Sequence, residues 1–174
     1  MDLTVLSGQL GKYLDMPTSL PPLELWKPEL SGDIDMLIKA NGVWLHEGQE
    51  IKREKLVRLF STILKKEGKD YFLVTPVEKW RLKVDDQPFV AVLMHVIERD
   101  GKQVVQMITN TGDELELNNE HILVTDSHES PRVLVRSDMY ARLSRNVYYA
   151  LAELAEEKED GFYIKSNGLD FKIG

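Results

Sequence analysis

Alternating apolar and polar positions dominate the first half of the chain, and they predict antiparallel hairpins. In Ser31–Gly48, SGDIDMLIKANGVWLHEG, apolar residues alternate with charged ones, which is typical of a half-buried strand. Asn41-Gly42 indicates a type I′ turn, which pairs Ile38 with Leu45 and Leu37 with His46. This register predicts a core face of Ile34, Met36, Ile38, Ala40, Val43 and Leu45. The opposite face carries Asp33, Asp35, Leu37, Lys39, Trp44 and His46.

Further strands follow the same pattern. Phe89–Arg99 and Lys102–Thr109 flank Asp100-Gly101, a second type I′ signal. Shorter strands are predicted at YFLV, WRLKV, LELN, HILVTD, RVLVR, FYI and LDFKI, the last two around Asn167-Gly168. The segment SHESP is predicted to be a loop.

Three segments have helical rather than strand periodicity. Leu3–Leu14 predicts a short helix, and a proline-rich extended arm follows it. Apolar residues at three- and four-residue spacing predict a helix from about Arg53 to Lys66, with Gly68 beyond its end. A longer helix is predicted from about Asp138 to Glu157, with Ser137 as its N-cap.

One arrangement of elements occurs twice along the chain. The segments IKREKLVRLFSTIL and VRSDMYARLSRNVYYAL superpose with an offset of 84 residues, and the strands after them superpose with an offset of 91. The difference of seven residues predicts a second helix longer by two turns. The fold class is therefore α+β, with two related halves, each strand-helix-strand-strand around an antiparallel sheet. The predicted domains are 1–30 (N-terminal helix and arm), 31–84 (first α+β repeat) and 85–174 (second α+β domain, with the longer helix).

Composition restricts the function classes. The formal net charge is −7, which argues against a nucleic-acid partner because phosphate neutralisation needs a basic face. The chain has no cysteine, which removes thiol chemistry and fits a reducing cytoplasm. The longest apolar run, FVAVLM, is too short to span a membrane, and the N-terminus does not have the pattern of a signal peptide. We therefore expect a cytoplasmic protein with no nucleic-acid or membrane partner.

Four segments together carry a family resemblance. They are LELWKPELSGDIDMLI, NGVWLHEGQEIKREKLVRLFSTIL, YFLVTPVEKWRLKVDDQPFVAV and TNTGDE, and from about Leu23 to the C-terminus the chain resembles the bacterial domain of unknown function 1285. The resemblance implies a duplicated α+β core with a C-terminal half superficially like a pleckstrin-homology fold. It also implies a ligand site where the halves meet and a role in signal transduction. It implies no established activity.

Asp33 and Asp35 are the first candidates for chemistry, because alternate residues of a strand point to the same side. Two carboxylates on one face could bind a divalent cation, with His46 nearby as an imidazole ligand or proton carrier. Alternatively, both carboxylates are solvated, or one pairs with a cation such as Arg53 or Lys79 across the domain interface.

The motif TPVEK is the second candidate, because Glu78 and Lys79 could form an acid-base or anion-binding pair. The alternative is a turn with charged tips. No phosphate loop, dinucleotide fingerprint, nucleophile elbow or zinc motif is present in the sequence, so no cofactor and no metal are predicted.

Three functions remain open, and the sequence favours a non-enzymatic one. The first is a ligand-binding or regulatory module that takes a small ligand or peptide between its halves, with a site predicted to comprise Asp33, Asp35, Arg53, Glu78 and Lys79. The second is a metal-dependent hydrolase that uses Asp33, Asp35 and His46. The third is a structural module that forms a homodimer through an exposed strand edge or the N-terminal arm.

Overall fold

The computed structural model describes residues 3–11, 20–125 and 130–174, and it divides the chain into two compact units. Unit 1 is Met1–Asp86 and unit 2 is Gln87–Gly174. The described residues include three α-helices: α1 (Leu3–Gln9), α2 (Glu54–Thr62) and α3 (Arg145–Glu153). A short 3-10 helix covers Leu23–Leu25. The predicted α+β class is confirmed.

The strands are numbered in chain order. Unit 1 contains β1 (Leu30–Ile38), β2 (Trp44–His46), β3 (Gln49–Glu50), β4 (Leu64–Glu67), β5 (Asp70–Val74) and β6 (Lys79–Val84). Unit 2 contains β7 (Phe89–Arg99), β8 (Lys102–Thr109), β9 (Glu114–Glu116), β10 (Leu123–Val124), β11 (Arg132–Arg136), β12 (Met139–Leu143), β13 (Glu156–Lys158), β14 (Gly161–Ser166) and β15 (Leu169–Lys172). The loop predicted at SHESP and the end of the helix predicted at Leu3–Leu14 fall largely outside the described residues.

Unit 1 is built on a six-stranded mixed sheet with the order β3-β2-β1-β6-β5-β4. Only β1 and β6 are parallel, and the other neighbours in this sheet are antiparallel. The predicted purely antiparallel sheet is therefore wrong. The segment between β1 and β6 includes α2, and a crossover of this length lets the second strand return in the same direction.

The core of unit 1 lies on one face of the sheet, the face to which Ile34, Met36 and Ile38 of β1 point. Ile34, Met36 and Ile38 are buried as predicted, together with Leu59 and Phe60 of α2. Leu6 and Leu10 of the N-terminal segment are also fully buried. The hydrophobic effect therefore fixes α1 and α2 to this unit.

Unit 2 contains a second six-stranded mixed sheet, with the order β10-β11-β12-β7-β8-β9, and a separate three-stranded sheet β13-β14-β15. The pair β12-β7 is parallel. The Asp100-Gly101 hairpin forms as predicted, with Arg99 opposite Lys102 and positive φ at both turn residues. The Asn167-Gly168 turn has the same geometry between Ser166 and Leu169.

The Asn41-Gly42 hairpin is present, but its predicted register is wrong by one residue. Ile38 lies opposite Trp44, and Met36 lies opposite His46. Only Gly42 of the two turn residues has positive φ (86°), and the Lys39 amide donates to the Val43 carbonyl at 2.9 Å. The loop therefore has three residues, and the extra residue turns every side chain of β2 to the other face. Trp44 is consequently a core residue with 1% exposure.

The helix predicted over Asp138–Glu157 begins seven residues later than expected. Ser137 and Asp138 both have positive φ and form the turn of the β11-β12 hairpin, so Ser137 is not an N-cap. Burial alternates along β12, which is a strand pattern. Ser144 caps α3 and its hydroxyl accepts a hydrogen bond from the Val147 amide at 3.3 Å.

The helix predicted from about Arg53 to Lys66 is shorter than expected. It ends at Thr62, because Leu64–Glu67 forms β4.

The repeat follows one offset rather than two. Helices α2 and α3 each have nine residues, and their first residues are 91 positions apart (145 minus 54). The cross-strand pair Leu73-Trp80 corresponds to Ile164-Phe171 at the same offset. The predicted offset of 84 and the predicted longer second helix are therefore wrong. The predicted offset of 91 for the following strands agrees with the paired residues in the two sheets.

Candidate functional site

Asp33 and Asp35 lie on the outer face of the unit 1 sheet, opposite the core, as the alternation predicted, and both are exposed. The Asp33 side chain is 74% exposed, and its Oδ1 lies 3.6 Å from Nη1 of Arg81 on the adjacent strand β6. An exposed ion pair of this length contributes about 0–1 kcal/mol to stability. The cation beside Asp33 is thus Arg81, whereas the sequence had suggested Arg53 or Lys79.

His46 does not join these carboxylates. Because Met36 and His46 are directly opposite each other, His46 lies on the core side of the sheet and Asp35 on the outer side. Among residues 3–11, 20–125 and 130–174, no three histidine or carboxylate side chains are grouped so that they could hold a metal ion. The arrangement required for a hydrolase of Asp33, Asp35 and His46 is therefore not formed.

Lys79 is held by two neighbours on the same outer face. Its ammonium lies 4.4 Å from the centre of the Phe72 ring and forms a close ion pair with Glu67. The hydrogen bond from Lys79 lowers the pKa of the Glu67 carboxyl below its ordinary value, against a smaller opposing effect of burial. Both contacts hold the Lys79 ammonium at the sheet surface.

Glu78 belongs to the tight turn that the TPVEK alternative described. The Thr75 hydroxyl accepts hydrogen bonds from the amides of Val77 and Glu78, at 3.3 and 3.0 Å. The Thr75 amide donates to the Glu78 carbonyl at 2.8 Å. The Thr75 hydroxyl therefore takes the place of a backbone carbonyl as the acceptor for these two amides. The motif joins β5 to β6 by local hydrogen bonds.

Arg53 lies in a different place, at the edge of a groove on the core side of unit 1. This groove has a volume of about 500 Å³. It is bounded by α1, by the turn and strands of the β2-β3 hairpin, and by the first turn of α2. Its lining residues are Leu3, Thr4, Ser7, His46, Glu47, Gln49, Glu50, Ile51, Lys52, Arg53 and Leu56. Of the five predicted site residues, only Arg53 belongs to it.

Local backbone geometry positions the polar side chains of the groove. Glu47 and Gly48 have positive φ and form a two-residue turn between His46 and Gln49. Arg53 is the N-cap of α2, and its carbonyl accepts hydrogen bonds from the amides of Leu56 and Val57. Its side chain makes no capping hydrogen bond and is exposed. The guanidinium can therefore reach a bound molecule.

Sequence reasoning missed most of the groove for a physical reason. The lining comes from residues 3–7 and 46–56, and nothing in the sequence pattern brings those segments together. The Glu47-Gly48 turn has no strong dipeptide signal of the Asn-Gly kind. Folding of α1 onto unit 1 depends on burial of Leu6 and Leu10, which leaves Thr4 and Ser7 at the groove.

A second polar cluster, in unit 2, has the Asp113 carboxylate at its centre. Asp113 accepts hydrogen bonds from the hydroxyls of Thr109 and Thr111 and from Nη1 of Arg136, at 2.7, 2.6 and 2.5 Å. Burial raises the pKa of the Asp113 carboxyl, but Arg136 and the two hydroxyls more than offset it, so the pKa lies below its ordinary value. The Arg136 guanidinium also packs 4.8 Å from the centre of the Phe89 ring. This cluster fixes the β8-β9 turn to β11.

Each of the two units contains a helix followed by three strands, and the first unit also has a polar groove. The class of protein is therefore a two-unit α+β protein. The chain belongs to the DUF1285 family, as its resemblance implied. The model for "Domain of unknown function (DUF1285), N-terminal domain" matches residues 21–87. The model for "Protein of unknown function (DUF1285), C-terminal domain" matches residues 88–173. None of the curated proteins matches the chain.

Two crystal structures of DUF1285 family proteins resemble the chain. The protein from Silicibacter pomeroyi DSS-3 is 37% identical, with 94% of this chain and 93% of that chain covered and a TM-score of 0.81. The protein from Shewanella baltica OS155 is 24% identical, with 69% and 91% covered and a TM-score of 0.57. The second likeness shows the fold alone. In the part of the chain that the structure describes, no helix is long and apolar enough to cross a membrane.

Proposed function

We propose that this protein is a non-enzymatic binding module that holds a small polar ligand in the unit 1 groove. The observation that carries the proposal is the groove itself, which has a volume of about 500 Å³ and charged side chains along its edge. Sites for small molecules commonly have volumes of about 300–1,000 Å³. The proposal retains Arg53 from the predicted set and adds His46, Gln49 and Lys52.

The charges around the groove support a particular ligand class. Lys52 and Arg53 supply two cations, and Glu47 and Glu50 supply two carboxylates. A ligand with a single charge would meet repulsion from one of these pairs, whereas a small zwitterion can place each of its charges beside an opposite one. A molecule with an amino group and a carboxylate, such as an amino acid or a dipeptide, therefore fits best.

Apolar residues of the groove favour a ligand with a short aliphatic part. Leu3, Ile51 and Leu56 line it alongside the polar groups. Sites of this kind combine apolar walls with a few placed polar groups, which fix the orientation of the ligand. Arg53 is the strongest single candidate, because a guanidinium can form two parallel hydrogen bonds to a carboxylate.

A thermal-shift screen followed by calorimetry tests the proposal. Amino acids, dipeptides, nucleotides and divalent metals are added separately, and a ligand that binds only the folded chain raises its melting temperature. We expect stabilisation by a zwitterion. Arg53→Ala should then weaken binding of that compound about tenfold or more, because a charge-assisted hydrogen bond contributes about 1.5–3 kcal/mol.

Arg58→Ala is the matched control for this substitution. Arg58 is also exposed and lies on the same helix, but it does not line the groove. It should leave the affinity unchanged. Equal loss of affinity in both variants, or a panel in which no zwitterion stabilises the wild-type chain, would contradict the proposal.

A further inference from the structure

Strand β7 has an open edge along most of its length. On one side it pairs with β8 from Ala91 to Arg99. On the other side β12 pairs only with Phe89–Ala91, and in the described part of the chain no strand continues along that edge. Helix α3 begins directly after β12 and contacts β7, so the main-chain amides and carbonyls available to another strand are those on this side beyond that contact.

The side chains along this edge are apolar and exposed. Val92, Leu93 and Val96 are 39%, 54% and 43% exposed, and Met94 and Ile97 are half-buried. Natural proteins usually protect such edges with lysine, proline or a bulge that twists the strand away. Residues 92–97 contain neither lysine nor proline. The pairing of β7 with β8 has an irregularity between Ala91 and Leu93, at the start of this edge, and is regular from Leu93 to Arg99.

We infer that this edge binds a second copy of the chain, through antiparallel pairing of β7 with β7 about a two-fold axis. Such an interface uses the same surface on both subunits, so it must be self-complementary. The hydrogen bonds of the added strand supply affinity, and the side chains that meet across the pair supply the register.

The sequence around His95 has the required self-complementarity. A two-fold axis perpendicular to the sheet pairs residues whose numbers sum to an even value, because paired side chains must point to the same face. With His95 on the axis, Leu93 lies opposite Ile97 of the second copy, and Met94 lies opposite Val96. Each of these pairs occurs twice, so eight apolar side chains meet across the seam.

Neighbouring registers fit less well. An axis at Val96 places Leu93 opposite Arg99 and Met94 opposite Glu98, so these two apolar side chains lose their apolar partners. An axis at Met94 brings Ala91 into the pairing, although β12 already occupies that position on the same edge. The His95 and Val96 registers pair equal lengths of the edge, and the His95 register is the one that places Leu93 and Met94 opposite apolar side chains.

Cysteine cross-linking tests both the dimer and its register, because the chain has no cysteine of its own. Directly opposite side chains have Cβ atoms about 4.5–5.5 Å apart, close enough to form a disulfide after a small adjustment. His95→Cys should give a covalent dimer under mild oxidation. Val77→Cys, at an exposed site in unit 1, should remain monomeric on a denaturing gel.

Sedimentation velocity of the full-length chain measures the association without a cross-link. The wild-type chain should sediment as a dimer at micromolar concentration, and Val96→Glu should shift it to the monomer. The control Val77→Glu makes the same change at another exposed valine and should leave the dimer intact. A monomeric wild-type chain at all concentrations, equal effects of the two glutamates, or His95→Cys that cross-links no faster than Val77→Cys would overturn the inference.

Discussion

Asp113 shows how one side chain can organise a region of unit 2. Its carboxylate receives three hydrogen bonds, and its own amide donates to the Thr109 hydroxyl at 2.9 Å. The Asp113 and Arg136 side chains are only 20% and 14% exposed. Charges at this depth stabilise a fold only while each has its partners. The sequence marked TNTGDE as part of the family resemblance and did not indicate that Arg136 would reach it.

Removal of the carboxylate should therefore be costly. Asp113→Ala removes the carboxylate that accepts hydrogen bonds from Arg136, Thr109 and Thr111, and we expect the free energy of unfolding to fall by about 2–3 kcal/mol. Urea denaturation followed by circular dichroism measures this change. Asp170→Ala breaks the more exposed Lys158-Asp170 pair and should have a much smaller effect. Similar losses in both variants would show that the Asp113 cluster has no special role.

The same carboxylate should influence stability in acid. Its pKa is lower in the folded chain than its ordinary value of about 3.9, so its stabilisation is complete above that pH and is lost as the pH falls toward the folded value. Asp113→Asn removes this titration. The difference in unfolding free energy between wild type and variant should shrink below about pH 4. A difference that stays constant from neutral pH downward would contradict the assigned pKa direction.

Arg53 illustrates what residue-level prediction could achieve at the candidate site. The sequence identified it as a cation near a helix start, and the structure places it on the groove. Asp33 was selected because it shares a strand face with Asp35, and Lys79 because it follows Glu78 in the TPVEK motif. Each instead has an oppositely charged neighbour on the outer face, Arg81 and Glu67 respectively.

At the level of elements, the sequence predicted most strands because their alternation is local. The sequence prediction failed where one segment is compatible with two local structures. Met139–Leu143 contains residues that suit both a helix and a strand, and the choice depends on pairing with Phe89–Ala91, about fifty residues away in sequence. Similarly, Asn-Gly suits both a two-residue turn and the three-residue loop at Ala40–Gly42, and burial of Trp44 accompanies the longer loop.

The start of α3 can be tested by substitution. Ser144→Ala removes the hydroxyl that caps the helix, and we expect a loss of about 1 kcal/mol in unfolding free energy. Ser137 has φ of 45°, a conformation that glycine adopts without steric cost, so Ser137→Gly should be neutral or slightly stabilising. Denaturant melts of both variants give the comparison. If Ser137→Gly destabilises more than Ser144→Ala, the position of the helix start is wrong.

At the scale of the molecule, the two units repeat one arrangement but offer different surfaces. Each has a helix followed by three antiparallel strands, and the two copies are 91 residues apart. The groove belongs to unit 1, and the open β7 edge belongs to unit 2. The proposed ligand site and the inferred dimer edge therefore lie in different units, so a substitution in one does not change the residues of the other.

A titration of the isotope-labelled chain with the zwitterion that stabilises it most, followed by amide chemical shifts, locates the ligand site. We expect the largest shifts at residues 46–56, with a further set in α1, and small shifts at Asp33, Lys79 and along β7. The shifts at the groove should be greatly reduced in Arg53→Ala and retained in Arg58→Ala. Shifts concentrated on the outer face of the unit 1 sheet, or in unit 2, would contradict the assignment of the groove as the ligand site.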